Sequence, residues 1–324
     1  MLCRKVFTSA FFTLACFASQ GVFTAPAGAA LEFRDFSLVA RETIAAKSSD
    51  IQGPIAAGND IALKDFALRD QKSLTSLQHR TIRTSIYSGG ALQLLRAHIA
   101  EGGIAADGPV RIKNCRVDGS VQSAKSIQNS LCRTGAQKKS SPNSVTKKLQ
   151  PVFAELEAFE QKIAEDYRQT RRLKGRQVDR KIGAVTLLEY DQLPQVLVLD
   201  GENRRETRIV VRVNQAGTVT VQNVTVILEG GIQPQQILYW FPQASQIILT
   251  QSGSRSPQGD LGIPGTLLAL NAELIAHSAL LTGAAYIKRF NGVATEEPSL
   301  QLNAAVLQGF GESPAEGEAP PASQ

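Results

Sequence analysis

This chain of 324 residues is poor in the residue types that do chemistry. It holds three histidines, four cysteines, one methionine and one tryptophan, and aromatic residues make up only 6% of it. His79, His98 and His277 are scattered and none sits in a serine or cysteine motif, so a nucleophilic triad has no material to be built from. Neither C-x-x-C spacing nor a histidine beside the cysteines offers a zinc shell, and no metal or cofactor is expected. Beyond the first thirty residues no apolar run approaches the ~20 residues that a spanning helix needs. What the chain has is small aliphatic side chains. At 43% hydrophobic with so few rings, its core must be built from Ile, Val, Leu and Ala, which suits thin stacked coils.

The first segment reads as an export leader. Arg4 and Lys5 precede the apolar run from Val6 to Phe17, and Ala27-Gly28-Ala29 offers small residues for cleavage after Ala29. Residues 1–29 are therefore expected to be a signal peptide, and the mature protein to be secreted, extracellular, surface-held or periplasmic. The formal charge of +6 loses Arg4 and Lys5 with the leader, and the modest positive balance left over suits an anionic partner as well as it suits ordinary solvation. Cys3 and Cys16 leave too. Cys115 and Cys132 remain, an even count in an oxidising compartment, and are expected to form a disulfide.

Two stretches copy each other at an offset of 49 positions, Gly53 to Leu68 and Gly102 to Val117. Each runs from an apolar step (Ile55, Ile104) through a turn to an alternating strand (Ile61 and Leu63, Val110 and Ile112), a polar corner and a second apolar pair (Phe66 and Leu68, Cys115 and Val117). Inward apolar residues at period two, with glycine or asparagine at the bends, describe a coil of a β-solenoid. In this reading Leu31 to Arg41 is an entry segment, Ser48 to Leu68 the first coil, Arg69 to Ser85 a projecting polar loop or short helix, and Thr134 to Asn143 a linker.

From Val145 to Lys174 the period changes to that of a helix. Leu149, Val152, Phe153, Leu156, Phe159, Ile163 and Tyr167 make one apolar stripe, with Glu155, Glu157 and Glu160 toward the start and Arg168, Arg171, Arg172 and Lys174 at the end. Pro151 is most comfortable in a first turn, which puts the regular helix start near Gln150. The stripe is expected to pack along the solenoid, and the basic cluster Arg168 to Arg180 to be a solvated helix end. Short strand patterns then recur from Val185 to Leu270, spaced about ten residues apart by Gly, Asn and Pro. Leu274 to Ile287 is expected to supply the last coil, and Gln301 to Gly311 to cap an open end. Glu312 to Gln324, rich in Glu, Pro and Ala, reads as a disordered tail (312–324).

Three motifs carry a family resemblance. Ser49-Asp50-Ile51-Gln52-Gly53-Pro54-Ile55-Ala56-Ala57-Gly58-Asn59 resembles the opening S-D-V-E-G-R-V-A-V-G-G-N of the choice-of-anchor A domain. Gln236 to Thr250, with Trp240-Phe241-Pro242 at its centre, is similar to that family's N-V-L-W-N-F-P-x-A segment, and Gly262 to Ala272 to its G-x-x-G-S-I-L-A-P-N-A. The matches keep the family's order across residues 31 to 292. Ala57 replaces the first glycine of the Gly-Gly-Asn corner, and Leu270 the proline of the last motif. The resemblance implies an ice-binding-like adhesive domain: a mainly β, right-handed β-solenoid with one long helix on its flank, here a single domain over 31–311 with helix 145–174. It further implies that coils before and after the helix share one solenoid whose stacking order differs from chain order.

The function expected is a non-catalytic adhesive or structural module whose partner is an extracellular glycan, a matrix protein or another cell-surface component, with no nucleic acid. Arg69, Asp70, Lys72, His79, Arg80 and Arg83 on the projecting loop are candidate ligand contacts, because loops on a rigid scaffold often carry binding. Tyr239 and Trp240 could stack on sugars, although burial suits their place in the motif better. Two alternatives stand beside this. A polysaccharide lyase or hydrolase needs gathered carboxylates, and the repeat sets Pro109 and Asn114 opposite Asp60 and Asp65. An ice-binding face needs threonines repeated from coil to coil, and Thr218, Thr220 and Thr225 are the nearest candidates. The sorting pentapeptide and terminal apolar tail of anchored relatives are not visible.

Overall fold

The computed structural model describes residues 30–69, 84–100, 102–169, 180–182, 185–204, 206–250, 262–292, 300–303, 305, 307–308 and 310. From Leu31 on, short strands stack in parallel into three faces of a β-solenoid. One face is the unbroken ladder 185–190, 208–213, 237–240, 266–269, 285–287, 38–40, 55–57, 86–88, 104–106, 121–123 and 137–139. The chain turns from it onto a second face (217–222, 244–250, 273–277, 289–292, 44–47, 61–64, 92–95, 110–113, 127–130). A third face follows, including 279–282, 300–303, 50–52, 66–69, 97–99, 116–117 and 133–134.

Stacking order and chain order therefore differ, as the resemblance implied. Coils from the C-terminal part form one half of the stack, and the coil at 285–303 sits directly on the coil at 38–52. The chain climbs from Leu38 to Lys139, and a helix then carries it back. This helix, α1 (Ser144–Gln169), lies over the first face. From Val145 to Tyr167 it advances about 33 Å at 1.5 Å per residue. The seven coil steps between the layer of Asp107 and that of Arg212 span about 34 Å at 4.8 Å each. Its length is the return distance.

Inside, side chains of one type pile in columns. Leu38, Ile55, Ile86, Ile104 and Val121 share one, and Ile44, Ile61, Leu92, Val110 and Ile127 another. Ile55 and Ile104 face a common core with Ile86 between them; each fully buried aliphatic side chain contributes roughly 1.5–3 kcal/mol relative to exposure. At one end the columns turn polar. Asn129 follows Leu63, Leu94 and Ile112, Thr134 follows Val117, and Gln137 follows Val121. The side-chain amide of Asn129 bonds backbone groups of Cys132, closing the inside of the last full coil with hydrogen bonds, while Leu131 at its corner stays exposed.

The corner between the second and third faces is built the same way in every coil where it is described. Ser48, Asp65, Arg96, Asn114 and Leu131 stack there with φ of 53°, 52°, 51°, 53° and 57°, and Asn223 and Ser278 repeat the conformation in the C-terminal coils. One left-handed residue turns the chain, at a cost of about 1–2 kcal/mol each for residues with a Cβ. On the opposite side of the second face the coils touch backbone to backbone. A Cβ on Gly89 would lie 2.0 Å from the carbonyl oxygen of Gly58, so only glycine lets these layers close.

Several expectations are corrected. The first coil begins at Leu38, because Phe33–Asp35 is a single 3-10 turn and Leu38–Ala40 already joins the ladder. Thr84 and Ser85 belong to a strand, and the linker at 134–143 contains Gln137–Lys139, paired with Val121–Ser123. Leu300–Asn303 caps nothing: it lies mid-stack between 279–282 and 50–52. α1 starts at Ser144, with Pro151 inside it. The proline is tolerated on the solvent side, where the carbonyl of Lys147, which loses its usual donor, can bond water. Residues 170–174, like 1–29 and 312–324, lie outside the described residues.

Candidate ligand-binding face

α1 covers the first face from the layer of 104–106 to that of 208–213, leaving its last strands, 121–123 and 137–139, beyond the helix start. The helix is tied down at its start by Asp107, whose carboxylate accepts the N–H groups of Val145 (3.0 Å) and Thr146 (2.7 Å). Its acids, which the sequence suggests serve the helix dipole, reach the solenoid instead. Glu155 accepts the N–H of Phe33 at 3.1 Å, Glu157 pairs with Arg41 at 2.7 Å, and Glu160 accepts the indole N–H of Trp240 at 3.1 Å. Burial pushes the carboxyl groups of Glu155 and Glu160 above the usual glutamate range. Near the helix end the Arg212 guanidinium lies 3.8 Å from the Tyr167 ring centre and 5.1 Å from that of Trp240, while pairing with Glu189. Tyr239 and Trp240 are buried on opposite sides of one strand, so neither is available to stack on a sugar.

The second and third faces alternate buried and outward residues, so their outward columns are the surfaces a ligand can meet. On the second face the N-terminal coils present Lys47, Lys64, Leu95 and Lys113 in one column and Ala45, Ala62, Gln93, Arg111 and Gln128 in the next. A depression of about 580 Å³ lies along these columns. Around the corner a second groove of about 930 Å³ is bordered by Asp65, Arg96, His98, Asn114, Arg116 and Leu131. Arg96 grips Asp65 with two bonds of 2.5 and 2.7 Å, which hold that carboxyl below the usual aspartate range. Arg116 pairs with Asp118 at 2.7 Å. His98, Arg116 and Arg133 follow one another up the third face.

The sequence candidates separate cleanly. Asp60 and Asp65 stand at opposite corners of one face, Asp60 capping the N–H of Ala91 at 2.7 Å, so no paired-acid site is assembled there. Thr218 and Thr220 point outward, but their neighbours on the next coil are Gln246 and Ile248, and Thr225 lies on another face beside Val196. His98 and His277 lie on different faces. No group of three or more potential metal ligands occurs among the described residues. Of the proposed contact loop, Asp70, Lys72, His79, Arg80 and Arg83 lie outside the described residues, as does the side chain of Arg69, whose backbone pairs with Gln52.

The expected disulfide is not formed in this structure. Cys115 and Cys132 are free thiols on successive coils, with the N–H of Cys115 donating to Sγ of Cys132 at 3.1 Å. Each sits one residue before the short strand of its coil, Arg116–Val117 and Arg133–Thr134, and burial raises the Cys115 thiol.

A sequence model described as an Ice-binding-like adhesive domain matches residues 30–297. The chain belongs to that family. The match spans both halves of the stack and the helix between them, in agreement with the motif resemblance. No curated protein matches the chain. Among solved structures, an ice-binding protein from the Antarctic ascomycete Antarctomyces psychrotrophicus is similar at 13% identity and a TM-score of 0.37, over 87% of this chain and all of the other.

Proposed function

We propose that this family member is a non-catalytic adhesive module acting outside the cytosol, delivered by the leader at 1–29, with residues 31–311 as its single binding domain. The observation that carries this reading is the division of labour among the faces. One is covered by α1 over most of its layers, while two present outward columns of polar and charged side chains on a rigid, regularly spaced frame. Such a frame suits many weak contacts to an extended partner better than one deep pocket suits a reaction. The family adds support, since its members are described as adhesive.

A glycan and matrix-protein array probed with the purified protein, run with product analysis, tests the proposal. Binding without release of reducing or unsaturated ends is the expected result. Release of such ends would replace the adhesive reading with a lyase or hydrolase, and ice-crystal shaping without array binding would replace it with an ice binder. The same reading places Cys115 and Cys132 in an oxidising compartment. They lie on successive coils, with the N–H of Cys115 against Sγ of Cys132, so pairing requires the two side chains to turn toward each other. We propose that an external thiol oxidant accepts two electrons and two protons from the pair there. Intact mass of the exported protein before and after reduction should differ by two hydrogens, and two free thiols on exported protein would refute the pairing.

A further inference from the structure

The outward side of the second face is chemically uneven along the stack. In its five N-terminal coils the outward strand positions include Lys47, Lys64, Arg111 and Lys113, and none is acidic. Lys47 and Lys64 are in register on successive coils, about 4.8 Å apart along the stack, an arrangement of like charges that opposes stability. The acids at the edges of this surface have partners of their own. Asp65 holds Arg96 and lies near enough to Lys64 and Lys47 to feel their charge, Asp60 caps Ala91, and Glu42 pairs with Lys288 and Arg289 at 3.6 and 3.5 Å. In the C-terminal coils the same columns hold Asn291, Ile275, Ile248 and Thr220 in one and His277, Thr250 and Gln222 in the other, with no lysine or arginine among these described residues; Glu273 and Arg289 pair one column further toward the opposite corner, in line with Asp60. The cations are thus gathered on one half of one face, along the depression lined by Lys64, Gln93, Arg111, Lys113 and Gln128.

Resting on the adhesive reading above, we propose that this half-face binds an extended acidic polysaccharide, its chain running along the stack with carboxylates on the lysine and arginine columns and hydroxyls on Gln93 and Gln128. Three features select this ligand. A sugar unit in an extended chain advances by about one coil spacing, so successive carboxylates can meet successive layers. The glutamines between the cations offer both donors and acceptors, which suits hydroxyl groups. The surface lacks outward aromatic rings, the usual platforms for unstacked bases of single-stranded nucleic acid.

The test uses the full-length protein with immobilised polymannuronate, neutral dextran and duplex DNA as probes. Binding to polymannuronate, absent on dextran, should weaken as salt rises toward 1 M, where the screening length falls to about 3 Å. The triple variant Lys64→Gln, Arg111→Gln, Lys113→Gln, with its circular dichroism unchanged because all three side chains are exposed, should bind at least tenfold more weakly. Lys288→Gln with Arg289→Gln should change binding less than twofold. Polymannuronate binding unaltered by the triple variant, or none at low salt, overturns the proposal, and tighter binding of DNA than of polymannuronate replaces the ligand. Binding on the array to a neutral glycan alone sinks this inference and leaves the adhesive reading standing, whereas release of sugar ends sinks the latter.

Discussion

Removing the Asp107 carboxylate should loosen α1 at its start, and the structure sets the size of the effect. Val145 is buried and its N–H has no intrahelical acceptor, as is true of any residue in a first helical turn. Asp107→Ala takes away the acceptor of this group and of the Thr146 N–H. Loss of a cap typically costs about 1 kcal/mol, and stranding a buried donor adds about 1–3 kcal/mol. Thr146 is less deeply buried and can recruit water, so the total should fall at roughly 2–4 kcal/mol. Asp107→Asn keeps one acceptor and should lose about half as much. Urea unfolding followed in two ways resolves the cause. Trp240, the single tryptophan, lies against the far end of α1, so its fluorescence reports docking of the helix, while far-ultraviolet circular dichroism is dominated by the strands. The fluorescence midpoint of Asp107→Ala should drop by the full amount, ahead of or together with the dichroism midpoint. If both midpoints stay within about 0.5 kcal/mol of the parent, a difference typical of ordinary surface substitutions, the carboxylate does not anchor the helix.

Three further outcomes are expected. Ile104→Ala opens a void in the middle of an aliphatic column and should cost about 2–5 kcal/mol in the same urea experiment, independent of pH. Gly89→Ala, despite adding one methyl group, should destabilise comparably or prevent folding, because the new atom meets the Gly58 carbonyl; a soluble, equally stable variant would contradict the close approach of those coils. Glu160 is held above the ordinary glutamate value of 4.5 by burial, so the folded chain keeps a proton that the unfolded chain has released. Stability from this group is present below 4.5 and is lost as pH rises through the raised value. Glu160→Gln escapes that loss and keeps an acceptor for Trp240; it should gain stability relative to the parent at neutral pH and none below 4.5, as read from urea midpoints across the acid range.

Much of the fold was legible because each coil repeats the same inward aliphatics. The copies at Gly53 and Gly102 are two layers apart, and of the intervening coil, Thr84 to Ile99, the part from Gly89 on is expected as a resumed repeat while the strand Thr84–Ser88 is missed for local reasons. The stretch before it breaks the period, and Leu94-Leu95 blurs the alternation of the strand after it. The neighbours of the end coils were illegible in detail, since that Leu300–Asn303 lies mid-stack is decided by how far α1 carries the chain back. Asp107 shows no cap signal because it serves a helix 38 positions away. The cationic surface is likewise invisible as a motif. Lys47, Lys64 and Lys113 become one column only when coils are stacked, with Leu95 between the last two.

Where the stack joins end to middle has a mechanical consequence. The coil that the chain makes first, at 38–52, and the one it makes last, at 285–303, meet at the waist of the rod, and Arg34 bonds the carbonyl of Phe310 at 2.5 Å beside them. A pull applied between Leu31 and Phe310 is therefore taken up locally across one pair of layers and does not travel through the outer coils. Synthesis meets the opposite demand: the underside of the earliest coil stays bare until the latest emerges, so the waist is the final part to be zipped and the first that a shortened chain would lose.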